Sequence, residues 1–209
     1  MITASHTVWM KWFGWWYVPW LLHRHFEAVH FLDVPNIANR AVLLLSNHQS
    51  WWDPFLVIRA NQRYFHKKYF VMMLEHELRR RPGVRQAGAF SIKPGSRSIL
   101  NSLEYATTVL QNPQHLLHIF PQGRISSPCS AAITFRRGIR YILEHAEPQY
   151  QICFTALFLH YFNKPRPEAF AFFRLVNEQS PSFASLNKSY QDFYDQCRQQ
   201  VELEYQKRF

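Results

Sequence analysis

The most constraining stretch of this chain is Ala41–Ser46 (AVLLLS), six residues with almost no polar alternation, followed at once by Asn47 and His48. A run that is apolar on both faces reads as a buried central strand and must be covered on both sides. A second such run is Tyr69–Leu74 (YFVMML), and strands are also expected at 29–33, 89–93, 115–120, 152–160 and 168–175. Helical segments fall between them: 54–60, a short basic stretch over 75–81 ended by Pro82-Gly83, 98–111, and 135–146. A long helix over 182–209 closes the chain, with Leu186, Tyr190, Phe193 and Cys197 on one stripe. Strands alternating with helices give an α/β fold whose sheet is covered on both faces.

The length of 209 residues suits one domain with a small appendage, and 47% hydrophobic residues exclude a disordered chain. With 24 Lys+Arg against 14 Asp+Glu the formal charge is +10, which leaves nucleic acid or an anionic membrane surface as partner classes. Cys129, Cys153 and Cys197 are far apart and odd in number, so neither a disulfide framework nor a zinc site is expected, and a reducing cytoplasmic setting is. No cleavage site of secretory type follows a short apolar stretch.

Composition shifts most sharply at the start. Val8–Leu22 (VWMKWFGWWYVPWLL) holds five of the 7 tryptophans and is followed by His23, Arg24 and His25. It is shorter than the roughly 20 apolar residues that span a bilayer, and Lys11, Gly14 and Pro19 interrupt it. Trp and Tyr favour the headgroup layer, and a basic flank favours anionic lipid. Residues 1–28 therefore read as an aromatic membrane-interface segment, and 29–209 as the domain it serves. Covering an apolar flank of that domain is the other reading, compatible with the first.

The chemistry concentrates in Ser46-Asn47-His48-Gln49-Ser50-Trp51-Trp52-Asp53-Pro54, where a buried strand gives way to a helix. Open α/β sheets place their ligands at such a junction. Five residues apart on one helix, His48 and Asp53 would point about 140° away from each other. They meet only if the turn lies between them, and Pro54 favours that by disfavouring the helical conformation at Asp53. A carboxylate holding one imidazole nitrogen leaves the other as a base. The plainer reading makes Asp53 a helix cap and His48 a loop residue. Two further strand ends carry cations: Gly88-Ala89-Phe90-Ser91-Ile92-Lys93, and Phe120-Pro121-Gln122-Gly123-Arg124. Lys93 and Arg124 converging near the His-Asp pair would suit a phosphate.

These residues resemble the lysophospholipid acyltransferases of 1-acylglycerol-3-phosphate acyltransferase type. Asn47, His48 and Asp53 match the family's N-H-x-x-x-x-D, with Ser50 at a commonly occupied position. Gly88, Phe90 and Ile92 match G-x-F-x-I-x-R, with Lys93 for the arginine. Phe120, Pro121 and Gly123 match F-P-E-G-T-R, with Gln122 for the glutamate and Arg124 for the threonine. Phe135-Arg136-Arg137-Gly138 is similar to F-K-x-G, and Thr155 stands where a fourth motif has proline. The resemblance implies a mixed, largely parallel sheet of glycerolipid acyltransferase type. It also implies His48 as general base oriented by Asp53, no metal or other cofactor, and acyl-CoA or acyl-carrier protein as co-substrate. Asn47, Ser50, Gly88, Phe90, Lys93, Pro121, Gln122, Gly123 and Arg124 would be substrate-binding, with Lys93 and Arg124 on the anionic headgroup of the acceptor, a lysophospholipid such as 1-acylglycerol-3-phosphate, at the cytoplasmic face of a membrane.

Gln122 brings no charge to orient Arg124, so a non-phosphate acceptor such as a glycolipid is an alternative. A thioesterase or hydrolase could use the same dyad with water. A nucleic-acid-binding module, suggested by charge and aromatics, is disfavoured because the tryptophans gather at the N-terminus while Arg79, Arg80, Arg81 and Arg85 cluster elsewhere.

Overall fold

The chain builds, in order, α1 (Val8–His25), β1 (Ala28–Leu32), β2 (Ala41–Ser46), α2 (Asp53–Ala60), β3 (Lys68–Leu74), α3 (Glu75–Arg80), β4 (Ala89–Ile92) and α4 (Ile99–Val109). β5 (His115–Ile119), α5 (Gly138–His145), β6 (Tyr150–His160), β7 (Glu168–Leu175) and α6 (Phe183–Arg208) follow. The structure, a computed structural model, describes residues 1–37, 39–127, 132–178 and 181–208, so Cys129 and Phe209 lie outside the described residues. One sheet takes all seven strands in the order β1-β7-β6-β2-β5-β3-β4. β6, β2, β5, β3 and β4 run parallel; β7 pairs antiparallel with β6 and carries β1 parallel to itself. The sheet is mixed and largely parallel, as expected.

β2 lies centrally with every residue buried. Its alternate side chains feed two cores. Leu43 and Leu45 pack in the layer of Leu103, Ala106, Ile139, Ile142, Leu186 and Tyr190 from α4, α5 and α6. Val42 and Leu44 pack with Val18 and Leu22 of α1 and Leu56, Val57 and Ala60 of α2. Each fully buried aliphatic side chain contributes about 1.5–3 kcal/mol, which is why a run without polar alternation is stable only between two helical layers.

α1 is a continuous helix, started by Thr7, whose Oγ1 accepts from Met10 N at 3.3 Å. Val18, Leu21 and Leu22 are buried, while Trp9, Trp12, Phe13, Trp16 and Trp20 are exposed at helical spacing on the opposite side. Both readings of this segment therefore have a face to themselves. Among the described residues, no helix is long and apolar enough to cross a membrane. Ahead of it, residues 1–7 run beside the edge strand β4: Ser91 N donates to Ile2 O at 2.8 Å and Ser5 N to Arg85 O at 3.0 Å. Cys153 and Cys197 are both buried and unpaired.

The helix expected over 135–146 begins only at Gly138. Upstream, the amides of Ile133 and Phe135 are claimed by Gln191 and Asn187 of α6, and that of Arg136 by Pro121 O, so this segment stays extended. Two short turns were not expected: a π-helical turn over Asn61–Phe65 and a 3₁₀ turn over Pro82–Ala87. The first is closed by Asn61, which donates to Lys67 O at 2.8 Å and accepts from Lys67 N at 3.1 Å.

Candidate active site

All five parallel strands deliver their carboxyl ends to one edge, and the His48 turn lies there at the end of the central strand. Asn47 anchors its start: Nδ2 donates to Leu157 O at 2.8 Å and Oδ1 accepts from Leu157 N at 2.7 Å, fixing the loop to β6. Asp53, the first residue of α2 and 1% exposed, folds back over the turn. Its Oδ2 accepts from His48 Nδ1 (2.8 Å), Gln49 N (2.7 Å) and Ser50 N (2.8 Å), and its Oδ1 from Ser50 Oγ (2.7 Å). Four donors satisfy a carboxylate that water hardly reaches. Asp53 therefore closes the turn and fixes the His48 ring; it is not the cap of α2, whose N-cap position is Trp52 without a side-chain cap bond.

A carboxylate can only accept, so His48 donates from Nδ1 and keeps its lone pair on Nε2. Nε2 has no hydrogen-bond partner among the described residues. The ring stacks on Phe120 at 3.9 Å between centroids and lines a cleft of about 2100 Å³. From the far side, Gln49 Nε2 donates to Tyr194 Oη of α6 at 2.5 Å, bracing the turn against the closing helix.

The Phe120–Arg124 loop joins the same site. Gln122 Oε1 accepts from His48 N at 2.9 Å, its Nε2 donates to Ser126 Oγ at 2.9 Å, and Ser126 N donates to His48 O at 2.8 Å. Gln122 thus braces the backbone of His48 and has its amide turned away from the role of orienting Arg124. Gly123, at φ +66°, makes room for Arg136, whose Cγ would lie 3.3 Å from an added Cβ. Arg136 donates from N to Pro121 O (2.8 Å) and from Nε to Gln122 O (3.3 Å). Arg124, Arg136 and Arg137 all line the cleft, and among the described residues none has a carboxylate partner. Three guanidiniums without counter-charge favour an anionic group there.

Other expected binding residues stand apart. Gly88, at φ +106°, is demanded by the chain itself, since a Cβ would fall 2.1 Å from Tyr69 O. Phe90 is wholly buried against Tyr105. Lys93 follows β4, two strand spacings or roughly 10 Å from β5, whose following loop carries Arg124; its neighbours Ile92 and Pro94 line the cleft, while Lys93 does not. Ser50 has its hydroxyl committed to Asp53.

One site feature escaped the sequence reading. His118, wholly buried in β5, bonds through Nδ1 to Tyr69 Oη and through Nε2 to Ser46 Oγ, both at 2.7 Å, and its ring lies 4.3 Å from that of Phe120. Burial, and secondarily His48 nearby, pushes its pKa down to about 3, so the ring is neutral. It ties β3, β5 and β2 together one layer beneath His48. Its signal was a histidine inside an otherwise apolar strand, HLLHI.

A largely parallel sheet covered by helices, with an imidazole oriented by a carboxylate and opening into a large cleft at the carboxyl edge of its strands, has the form of an α/β enzyme. The chain belongs to the Acyltransferase family, the 1-acylglycerol-3-phosphate acyltransferase-like family, whose model matches residues 23–155, and it is an acyl-transferring enzyme acting on lipids. No curated protein matches the chain.

Proposed function

We propose that the enzyme transfers a fatty acyl group from an acyl thioester, acyl-CoA or acyl-carrier protein, to a hydroxyl of a lysophospholipid such as 1-acylglycerol-3-phosphate. The observation that carries this reading is His48, held at Nδ1 by Asp53 and unpartnered at Nε2, facing a cleft edged by Arg124, Arg136 and Arg137. Nε2 takes the proton of the acceptor hydroxyl as its oxygen bonds to the thioester carbonyl carbon. The tetrahedral intermediate then collapses with cleavage of the carbon–sulfur bond, and the imidazolium returns the proton to the leaving thiolate. The acceptor oxygen is itself the nucleophile, so no acyl-enzyme forms. General-base action supplies roughly 10²–10⁴-fold, and alignment of two bound substrates the rest.

The exposed tryptophan face of α1, with His23 and Arg24 at its end, supports docking at the cytoplasmic face of an anionic membrane. A mass-spectrometric screen of acceptors with isotope-labelled acyl thioester tests the reading. Label appearing in diacyl phospholipid supports it; label appearing in a glycolipid, or in free fatty acid alone, replaces it with another acceptor or with hydrolysis.

A further inference from the structure

β5 holds a histidine inside an apolar run, and the fold gives it two hydroxyls. His118 is wholly buried, with Tyr69 Oη 2.7 Å from Nδ1 and Ser46 Oγ 2.7 Å from Nε2. A hydroxyl donates or accepts, so the neutral ring is satisfied at both nitrogens in either tautomer. Register sets His118 beside Leu44, and alternation along β2 puts Ser46 on the same face. The three polar groups therefore sit in the layer of Val42, Leu44, Leu56 and Leu116. Replacing a whole buried polar set by hydrocarbon of similar shape is often neutral or stabilising, so stability alone does not call for them. Hydrogen bonds add direction: a satisfied buried network fixes one arrangement where apolar contacts tolerate several.

That arrangement includes both supports of the His48 ring. Ser46 is the last residue of β2, and Asn47, which anchors the turn on Leu157, follows it directly. Phe120, two residues beyond His118, has its ring 4.3 Å from that of His118 and stacks on that of His48 at 3.9 Å, 18° from parallel. Asp53 holds the imidazole at one atom, Nδ1, and a single hydrogen bond leaves a ring free to swing about it. The face of Phe120 removes that freedom. A misplacement of about 1 Å at a reacting atom costs about 10²-fold in rate. We propose that His118 is a positioning residue for acyl transfer, fixing Ser46 and Phe120 so that the His48 ring stays in the plane from which Nε2 meets the acceptor hydroxyl. The proposal rests on His48 being the base. His118 does this without adding a charge: burial first, and His48 second, push its pKa down to about 3, so it is neutral when the His48 imidazolium forms.

The test uses the full chain as a triple variant, Ser46→Ala with Tyr69→Phe and His118→Leu, which removes all three polar groups and strands none. Beside it stands His118→Leu alone, which strands two hydroxyls. The triple variant should melt above His118→Leu and close to the native protein. Transfer of a labelled acyl thioester to 1-acylglycerol-3-phosphate gives kcat and KM. Proton NMR of enzyme with isotope-labelled histidines gives the Nδ1 proton of His48, identified by its loss in His48→Ala. In both variants kcat should fall about 10–100-fold with KM within twofold of native, and the Nδ1 proton should move upfield as its bond to Asp53 loosens. A merely structural role would return kcat along with stability in the triple variant. A folded variant of either kind whose kcat lies within threefold of native, whose loss lies in KM, or whose Nδ1 proton does not move would overturn the proposal. Native-like transfer by His48→Ala, or no transfer by the native enzyme, would instead remove the base reading, and the Nδ1 proton would then decide alone whether His118 holds the ring.

Discussion

Asp53→Asn separates the orienting role of the carboxylate from its role in closing the turn. Asparagine keeps one oxygen, enough to accept from His48 Nδ1 and from the amides of Gln49 and Ser50, while its nitrogen can face Ser50 Oγ. What disappears is the charge. Hydrogen bonds to a charged group contribute about 1.5–3 kcal/mol and neutral ones about 0.5–1.5. Roughly 1 kcal/mol is thus lost at each of the three bonds to Oδ2, or about 3 kcal/mol in all. For a chain of 209 residues that lowers Tm by roughly 6–12 °C. The chemical step should suffer more. The imidazolium formed during transfer loses its counter-charge, and an amide nitrogen turned toward Nδ1 would force the ring proton onto Nε2 and abolish the base. The same exchange in a Ser-His-Asp triad reduces kcat about 10⁴-fold, and we expect about 10³–10⁴-fold here. Steady-state turnover of a labelled thioester, with a circular-dichroism melt of the same sample, gives both numbers. A folded variant retaining more than a tenth of native kcat would refute the orienting role.

Gln122 should tolerate glutamate better than leucine. Glutamate still accepts from His48 N and can take the Ser126 hydroxyl, whereas leucine orphans both partners and should destabilise the chain by about 2–3 kcal/mol in urea unfolding. Equal stability of the two variants would show that the brace is unimportant. His118 makes stability depend on pH in a defined window. Its pKa falls from an ordinary 6.5 to about 3 on folding, so the unfolded chain binds the proton first as pH drops. The neutral ring's contribution, complete above about pH 6.5, is lost through that window by roughly 1.4 kcal/mol per unit. His118→Leu strands Tyr69 and Ser46 and is less stable at pH 7. Its deficit against the native chain should shrink steadily between pH 6.5 and 3, and a constant deficit would contradict the buried neutral histidine.

Local signals carried further than long-range ones. AVLLLS and EAFAFFRL gave their strands to the residue because hydrophobic runs report burial directly. The order of strands was not legible: nothing in Val29–Leu32 says that it pairs with residues about 140 positions away on β7. The start of α5 was misplaced for the same reason, since Asn187 and Gln191 hold the preceding amides from across the fold. At the site, His48 and Asp53 were legible because the turn that joins them is local. Asn47, Gly88 and Gln122 were visible as positions but not as roles, because their partners Leu157, Tyr69 and His48 N lie 110, 19 and 74 residues distant. Arg136 and Arg137 were noticed in a motif, and only the fold brought them to the cleft that holds His48.

The central claim is that His48 Nε2 is the base for acyl transfer. Its most direct test is single-turnover transfer of a labelled acyl thioester to 1-acylglycerol-3-phosphate by native enzyme and His48→Ala, both shown folded by their melts. A fall in the transfer step of at least the roughly 10²–10⁴-fold typical of a lost general base, with thioester binding preserved, is the predicted result. Transfer by the alanine variant within tenfold of native would contradict it.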